Sequence, residues 1–264
     1  MSSSDWQRRF AGIERLYGSD GAAALQNLHL MVIGLGGVGS WAAEALARSG
    51  VGKLTLIDMD EVCLSNVNRQ SHALTNTVGQ LKTEVLVERL RGINPEVEIH
   101  IVDDFINREN LAEYLQDKPD GVLDAIDSLQ AKVALLAWCK RHKIPVVTTG
   151  GAGGQVDPSQ IAVTDVAKVT QDPLMAKVRN QLRRDYGFSR NPKRKFGIDC
   201  VYSTEQLRYP RGDGTVSYAK PGDRGVNMDC ATGFGASMMV TATFGLFAAA
   251  KLLSRVLPME TPSS

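Results

Sequence analysis

The sequence has only four cysteines in 264 residues, and no two of them form a C-x-x-C pair. They are Cys63, Cys139, Cys200 and Cys230. A structural zinc site of four thiolates at the usual spacing is therefore excluded. Widely spaced free cysteines in a chain of this size indicate a reducing compartment, and we expect a cytoplasmic protein.

The chain also lacks a strong excess of either charge, since its formal net charge is only +1. Bulk charge therefore says nothing about a nucleic-acid partner, and any such signal must be local. The N-terminus has no positively charged start followed by an apolar run, so no secretory signal is predicted.

One long uncharged run is present, at residues 231–250. Its length meets the requirement for a membrane span. Its content of Ala, Gly, Thr, Ser and Met makes insertion into a bilayer marginal. We expect a buried helix packed on a sheet, with membrane association through this segment as the alternative.

Predicted strands and helices alternate through residue 149. The strands fall at residues 29–33, 53–58, 97–102, 121–126 and 145–149, and the main helices between them at 40–49, 78–91, 108–115 and 129–142. This order predicts an α/β fold: a Rossmann-like, doubly wound, mostly parallel sheet with helices on both faces.

The regular alternation of predicted strands and helices ends at the glycine-rich segment 150–154. We expect one domain over residues 1–264, with a nucleotide-binding core at about 28–150 and a substrate-side elaboration at about 151–264. The elaboration should contain a basic loop and an apolar final helix. Its other predicted elements are strands at 161–166, 199–203 and 215–218 and a helix at 172–186.

A glycine-rich loop follows the first predicted strand and opens a helix. Its backbone can approach phosphates closely, and the helix N-terminus supplies amide donors and a positive dipole end. Asp58, at the tip of the second strand, can hold ribose hydroxyls. This much fits a nicotinamide enzyme equally well, and a glycine turn needed only for packing is the other alternative. The loop residues in question are Gly34, Gly36, Gly37, Gly39 and Ser40.

The residues after Asp58 resemble the ubiquitin-activating-type superfamily, which includes activators of sulfur-carrier proteins. The resemblance implies that Asp58 binds ribose and that Arg69 and Lys82 are catalytic, contacting ATP and its phosphates. Adenylation needs cations where a carboxylate attacks a triphosphate, whereas a hydride enzyme has no use for them there. The other residues of the implied ATP site are Asp60, Ser65, Asn66, Asn68 and Gln70.

The segment 124–128, Asp-Ala-Ile-Asp-Ser, ends the fourth predicted strand at the edge where ligands collect in such sheets. The resemblance implies that Asp127 binds Mg²⁺, which accepts one carboxylate plus phosphate oxygens. Asp127 could instead cap the next helix, a role that Ser128 can also take. Ser128 is included in the predicted nucleotide site. Asp103 and Asp104, at the end of the third predicted strand, are expected to line the adenine or ribose pocket.

Longer motifs narrow the resemblance to one family. Residues 37–48, 68–74, 148–158 and 228–235 look like the tRNA threonylcarbamoyladenosine dehydratases, and the similarity runs over nearly the whole chain. It implies ATP-dependent cyclisation of the threonylcarbamoyl group on the adenosine 3′ to the anticodon. The threonyl carboxylate would be adenylated with release of pyrophosphate, and an intramolecular attack would then release AMP without a protein nucleophile.

The resemblance also implies partners and cofactors. They are ATP, Mg²⁺, a tRNA carrying threonylcarbamoyladenosine and a second copy of the chain. A structural monovalent cation and a sulfur-transfer or cysteine desulfurase partner are further expectations. Superfamily members carry an arginine that reaches the partner subunit's ATP, but Gly12 stands at that position here. Arg15, about one helical turn later, is the candidate to replace it.

Cys200 and Cys230 are candidates for the mobile cysteine of relatives that form thioesters. Such a thiol needs an accessible, electropositive setting, which the Lys-Arg-Lys run at 193–195 could give Cys200. The alternative for both is a small core residue, and Cys139 is expected in the core.

A local basic stretch covers residues 177–195, with eight Lys or Arg and one acid, Asp185. A second cluster lies at 140–143. Such runs suit the phosphates of a tRNA, and Tyr186 and Phe188 could stack on exposed bases. A solvated loop is the alternative.

Two other functions are weighed against tRNA modification. An adenylating enzyme for the C-terminus of a ubiquitin-like sulfur carrier would favour a zinc site, and both the missing C-x-x-C pairs and the basic stretch argue against it. A nicotinamide dehydrogenase or an inactive nucleotide-binding module would leave Arg69, Lys82 and Asp127 without a purpose.

Overall fold

A computed structural model describes residues 5–220 and 234–257. Its main sheet has seven strands: β1 (His29–Ile33), β2 (Lys53–Ile57), β3 (Glu98–Val102), β4 (Gly121–Asp124), β5 (Val146–Thr149), β6 (Ile161–Asp165) and β7 (Asp199–Ser203). Their order is β3-β2-β1-β4-β5-β7-β6, and only the β6–β7 pair is antiparallel. The predicted mostly parallel α/β fold is confirmed. A separate hairpin pairs β8 (Tyr209–Pro210) with β9 (Val216–Ser217).

Seven α-helices are described: α1 (Asp5–Asn27), α2 (Gly39–Arg48), α3 (Lys82–Ile93), α4 (Leu111–Tyr114), α5 (Leu129–His142), α6 (Pro173–Asp185) and α7 (Met238–Val256). Apolar side chains of α2, α3 and α7 pack on one face of the sheet, and those of α4, α5 and α6 pack on the other. The core thus lies in two layers, as the alternating sequence pattern predicts.

The strand order reverses at β1, which pairs in parallel with both β2 and β4. The carboxyl ends of these three strands therefore meet at one side of the sheet, which we call the carboxyl edge; the opposite side is the amino edge. Ligands of open parallel sheets bind at such a reversal, so the loops of the carboxyl edge frame the candidate site.

Helix α3 begins at Lys82, four residues after its predicted start at Val78. The preceding residues are tied instead to the loop after β2. Val62 N donates to Gln80 O at 2.8 Å, and Lys82 N donates to Asp60 O at 3.0 Å. This pairing places the first turn of α3 directly beside Asp60.

Helix α7 is the predicted apolar final helix, and it packs on α2 through a close approach at Gly245. A Cβ there would lie 2.5 Å from Val38 O, so only glycine fits. By length and composition α7 could cross a membrane, but half of it is buried inside the protein. It begins at Met238; residues 231–233 of the predicted helix lie outside the described residues.

Candidate functional site

The glycines of the first loop have two different roles, close packing of the backbone and open space for phosphate oxygens. Gly34 has φ 85°, and a Cβ there would lie 2.9 Å from Ala125 O. A Cβ on Gly39 would meet Gly34 O at 1.8 Å. Packing alone therefore requires these two glycines. Around Gly36 the nearest atom to a Cβ would be Gln70 Nε2 at 4.0 Å, so the backbone of Gly36 faces open space that phosphate oxygens can occupy.

Asp58 is buried at the tip of β2 and holds the glycine loop. Its Oδ2 accepts from Leu35 N at 2.6 Å, and its Oδ1 accepts from Asp60 N at 2.9 Å. Burial raises the pKa of this carboxyl group, and the nearby Lys82 opposes that rise. A carboxylate has about four acceptor positions, so Asp58 keeps capacity for ribose hydroxyls.

Lys82 brings a positive charge to the same place. Its Nζ lies 2.6 Å from Asp60 Oδ2 and 3.8 Å from Asp58 Oδ1, and its side chain is 7% exposed. Lys82 is therefore fixed beside Asp58, the carboxylate predicted to bind ribose, and it does not lie on a solvated helix face.

Arg69 packs against the glycine loop at Gly37. A Cβ on Gly37 would meet Arg69 Cγ at 3.1 Å, and Trp41 Nε1 donates to Arg69 O at 2.9 Å. The guanidinium donates to Ser65 O at 2.8 Å and to Asn68 Oδ1 at 2.9 Å. The structure thus brings Arg69, Ser65 and Asn68 together beside the glycines.

The remaining predicted residues near this loop have mixed roles. Asn66 is buried, and its Oδ1 accepts from Cys63 N at 3.0 Å, which stabilises a turn. Ser40 is also buried, and its Oγ accepts from Ser71 N at 3.2 Å. Gln70 Oε1 is buried and finds no hydrogen-bond partner among the described residues, so the Gln70 amide beside Gly36 has an unmet acceptor.

Asp127 follows β4 at the carboxyl edge and is exposed. Within the described residues its carboxylate makes no hydrogen bond, and Ser128, the residue that caps α5, makes no side-chain capping bond either. The capping alternative is therefore not realised by either residue. In residues 5–220 and 234–257 no cluster of three or more His, Cys, Asp or Glu could hold a metal by itself. A cation at Asp127 would need phosphate or water oxygens, as Mg²⁺ does with nucleotides.

Asp104 is turned toward α4. Its Oδ2 accepts from Tyr114 Oη at 2.6 Å and from Asn110 Nδ2 at 3.1 Å, and the Tyr114 hydrogen bond lowers the pKa of Asp104. Asp103, which was predicted together with Asp104 to line the pocket, accepts instead from Thr83 Oγ1 at 2.6 Å, one residue after Lys82.

A buried charge pair was missed by the sequence reasoning. Lys132 Nζ lies 2.8 Å from Asp124 Oδ2, and both side chains are completely buried. Thr148 Oγ1 donates to the same Asp124 oxygen at 2.6 Å. The available signal was a lone lysine inside the otherwise apolar segment of α5, in a helix that begins right after the Asp127 turn.

The later sequence motifs come together in space. Gly154 N donates to Gly235 O at 2.7 Å, and Asn68 Nδ2 donates to Ala236 O at 2.9 Å. The 148–158 and 68–74 motifs therefore both contact the segment that leads into α7. The first part of the fourth motif, residues 228–233, lies outside the described residues.

The structure argues against a nucleophilic role for Cys200. The residue lies in β7 with no exposed surface, and burial raises the pKa of its thiol well above the ordinary value. A reactive thiol needs the opposite setting, so the electropositive, accessible site predicted from 193–195 is wrong. Cys139 is buried as expected, whereas Cys230 lies outside the described residues.

Arg15 is exposed on α1. A Cβ on Gly12 would meet nothing within 4 Å, so that surface is open. The role of Arg15 toward a partner subunit stays a prediction.

The basic stretch is only partly free to bind phosphates. Arg179 donates to Val169 O at 2.6 Å, Arg183 donates to Ser189 O at 3.2 Å, and Arg184 pairs with Asp185 at 2.6 Å. These three guanidinium groups stabilise the local fold. Arg184 is itself exposed but paired, and the other exposed cations of the stretch are Lys177, Arg190, Lys193, Arg194 and Lys195.

The two basic clusters meet near the amino edge. A Cβ on Gly197, just before β7, would lie 2.7 Å from Lys140 Nζ. Because α5 starts at the carboxyl edge and has 14 residues, this surface lies about 20 Å away from the nucleotide crevice. A ligand bound at the crevice would have to extend by about this distance to reach these cations.

The aromatic residues of the stretch differ from each other. Phe188 packs edge-on against Phe196, with ring centroids 4.8 Å apart, so its predicted stacking on a base is not supported. Tyr186 is 37% exposed and lines a cleft of about 260 Å³ between α5, the end of α6 and the segment before α4 at Asn107 and Arg108.

The chain is defined by these features as a nucleotide-binding protein of the Rossmann-like class. They are the strand order of the sheet, the glycine-rich loop, the Asp58 carboxylate at the end of β2 and the nearby cations Arg69 and Lys82. The family model described as ThiF matches residues 8–263. The chain therefore belongs to the ThiF family.

Relatives named tRNA threonylcarbamoyladenosine dehydratase match nearly the whole chain. It is 55% identical to the tRNA threonylcarbamoyladenosine dehydratase of Escherichia coli (strain K12), over 97% of this chain and 96% of that protein. The crystal structure of E. coli tRNA N6-threonylcarbamoyladenosine dehydratase, TcdA, in complex with ATP matches with a TM-score of 0.85. That match is 50% identical and covers 97% of this chain and 96% of the other.

The sulfur-carrier branch of the family matches less of the sequence. The molybdopterin-synthase adenylyltransferase of E. coli (strain K12) is 39% identical over 52% of this chain and 54% of its own length. The resemblance to tRNA threonylcarbamoyladenosine dehydratases is thereby confirmed, because those relatives extend over the elaboration as well as the core.

Proposed function

We propose that this chain is an ATP-dependent dehydratase that cyclises threonylcarbamoyladenosine next to the anticodon of a tRNA. The observation that carries the proposal is the placement of two cations at the glycine loop: Arg69 packs against Gly37, and Lys82 lies beside Asp58, whose carboxylate accepts a hydrogen bond from Leu35 N. Cations there suit a reacting triphosphate, and relatives of this activity match the chain from end to end.

The nucleotide is held by the loops of the carboxyl edge. Asp58 and Asp60 accept hydrogen bonds from the ribose, and the amides around Gly36 bind phosphate oxygens at the start of α2. Ser65, Asn68 and Gln70 line the same side of the loop, where Gln70 has an acceptor to satisfy.

Arg69 and Lys82 stabilise charge that develops during adenylation. The threonyl carboxylate attacks the α-phosphorus, the bond to the pyrophosphate leaving group breaks, and negative charge moves to that group. Preorganised cations lower the free energy of this transition state because they need not reorganise during the reaction.

Asp127 is the residue proposed to hold Mg²⁺. Its carboxylate is exposed and has no partner among the residues that the structure describes, which suits a hard cation that also binds phosphate oxygens. Bound Mg²⁺ would neutralise part of the phosphate charge. Ser128 lies next to it, at the start of α5.

The second half-reaction needs no protein nucleophile. An atom of the carbamoyl group attacks the acyl carbon of the adenylate, the carbon–oxygen bond to AMP breaks, and the attacking group loses its proton. The net change is loss of one water from the nucleoside and conversion of ATP to AMP and pyrophosphate. Proximity within one side chain supplies a large effective concentration.

The tRNA spans both edges of the sheet in this proposal. The modified adenosine lies at the crevice, and phosphates of the stem lie on the exposed cations around Lys140 and Lys193. We further propose a single domain over residues 1–264, a cytoplasmic homodimer and a contact from Arg15 to the partner's nucleotide. The monovalent cation and the sulfur-transfer partner are proposed from the resemblance alone.

The test uses purified protein, ATP, Mg²⁺ and tRNA carrying threonylcarbamoyladenosine. We expect AMP in the reaction mixture and, by mass spectrometry, a nucleoside lighter by one water. Arg69→Ala and Asp127→Ala should each abolish adenylation with an unchanged circular dichroism spectrum. If only a small carrier protein stimulates pyrophosphate exchange, the tRNA assignment fails and the sulfur-carrier alternative replaces it.

A further inference from the structure

Lys132 occupies an unusual position for a lysine. It lies on α5 with no exposed surface, and its neighbours on that helix are apolar. Its Nζ donates to Asp124 Oδ2 at 2.8 Å and to Thr148 Oγ1 at 3.1 Å. Thr148 Oγ1 in turn donates to Asp124 Oδ2 at 2.6 Å, which closes a three-membered network.

Stability alone does not explain such a network. Removing a lysine and an aspartate from water costs several kcal/mol for each ion, and apolar residues of similar volume are often as stable or more so. A buried pair at the carboxyl edge of the sheet therefore calls for a role in fixing local geometry.

The network fixes the turn that carries Asp127. Asp124 is the last residue of β4, and its Oδ1 accepts from Ile126 N at 3.1 Å. Thr149 Oγ1 donates to Asp124 O at 3.3 Å. These bonds hold the start of the turn at 125–128 against the end of β5.

A second buried carboxylate, that of Asp172, lies against the 150–154 loop at this edge. Asp172 is buried, and its Oδ2 accepts from Gly151 N at 2.9 Å. A Cβ on Gly150 would lie 1.9 Å from that oxygen, so the loop passes directly over the carboxylate. The charge of Lys132 opposes the rise that burial causes in the pKa of Asp172. Lys132 thus forms an ion pair with Asp124 and acts electrostatically on Asp172. Each of these two carboxylates is hydrogen-bonded to a different loop of this edge.

We propose that Lys132 is a positioning residue for adenylation, holding the Asp127 turn against the 150–154 loop through Asp124 and Thr148. The proposal rests on the proposed function only in taking Asp127 as the Mg²⁺ residue. Lys132 touches neither substrate nor metal; it sets the position of the group that does.

Three variants test this role. Lys132→Met removes the charge at similar volume, Thr148→Val removes only the hydroxyl, and Thr148→Ser restores it. Mn²⁺ serves as the metal, and its binding to the enzyme–ATP complex is measured by electron paramagnetic resonance. Thermal unfolding and metal-free ATP binding are measured on the same samples.

Loss of the support should weaken Mn²⁺ binding by about tenfold in Lys132→Met, and by less in Thr148→Val, in line with other supporting residues of metal sites. Thr148→Ser should bind Mn²⁺ as the wild type does, and metal-free ATP binding should be unchanged in all three. A fall in thermal stability with unchanged Mn²⁺ affinity would mean a structural role only and would overturn the proposal. If Lys132→Met does not fold, Thr148→Val and Thr148→Ser give the test. Weaker Mn²⁺ binding in Thr148→Val alone supports the positioning role, and equal binding in both variants overturns it.

Asp127→Asn, measured in parallel, separates this proposal from the proposed function. If Asp127→Asn binds Mn²⁺ normally, the metal assignment is wrong and the positioning role is overturned with it. If Asp127→Asn loses Mn²⁺ while Lys132→Met keeps it, only the positioning role is overturned. The identity of the tRNA substrate does not enter, because the binding measurement needs only ATP and metal.

Discussion

The Lys82 ammonium lies 2.6 Å from Asp60 Oδ2, and this contact joins the first turn of α3 to the loop after β2. The backbone repeats the link, because Lys82 N donates to Asp60 O at 3.0 Å. Protein groups therefore hold the cation beside Asp58. Such preorganisation is what a transition state with developing charge requires.

Replacing Lys82 by methionine should lower the rate of AMP formation about 100-fold or more, as removal of one preorganised electrostatic interaction does elsewhere. The rate is measured with saturating ATP and modified tRNA, and the fold is checked by circular dichroism. Lys53→Met is the matched control, because Lys53 forms a 2.6 Å pair with Glu98 on the neighbouring strand, away from the crevice. Normal turnover in Lys82→Met would refute the proposed site.

His72 should make the protein less stable in mild acid. It is buried at 1% exposure, neither ring nitrogen has a hydrogen-bond partner among the described residues, and burial lowers its pKa to about 4. Between that pKa and the unfolded value of 6.5 the unfolded chain binds the extra proton. The free energy of unfolding therefore rises with pH across this window and loses up to about 3 kcal/mol as pH falls through it.

Urea unfolding at several pH values across this window checks the expectation. His72→Leu should show a smaller loss of unfolding free energy over the same range, because the variant has no imidazole to protonate. His29→Gln is the comparison variant, since burial also lowers the pKa of His29, but less strongly. This substitution should change the pH dependence of the unfolding free energy less than His72→Leu does. Equal pH dependence in His72→Leu and the wild type would contradict the assignment.

Cys200→Ala should keep full turnover and lose about 1 kcal/mol of stability, because the thiol is a buried packing group in β7. Turnover and urea unfolding are measured together. Cys63→Ala, which changes an exposed cysteine, should alter neither quantity. Loss of turnover in Cys200→Ala at normal stability would restore a catalytic role for this residue.

Much of the fold could be predicted from periodicity, and the observed bounds of α5 and β7 equal the predicted ones. The start of α3 could not, because Val78 continues the apolar pattern while its chain neighbours pair with the loop at Asp60. Local propensity does not register such a tertiary hydrogen bond. The same limit hid the Lys132 network, since burial of a charged side chain depends on partners from β4 and β5.

The site was predicted best where residue type and spacing carry the chemistry. Lys82 and Arg69 lie beside the glycine loop as expected. The prediction for Cys200 failed because nearness in sequence to a basic run was taken as nearness in space. Strand β7 lies between β5 and β6, and its side chains are buried on both faces of the sheet, so Cys200 is in the core although it follows Lys195 by only five residues.

The exposed cations near the amino edge should contribute to tRNA affinity through counterion release. Replacing Lys193, Arg194 and Lys195 together by alanine should weaken tRNA binding and reduce the slope of log K against log salt by about one for each phosphate that is no longer neutralised. ATP binding should not change, because these side chains lie away from the crevice. Arg91→Ala on α3, an exposed cation of the opposite face, is the control and should leave both quantities unchanged. An unaltered salt slope in the triple variant would show that this basic surface is solvated and does not bind the tRNA.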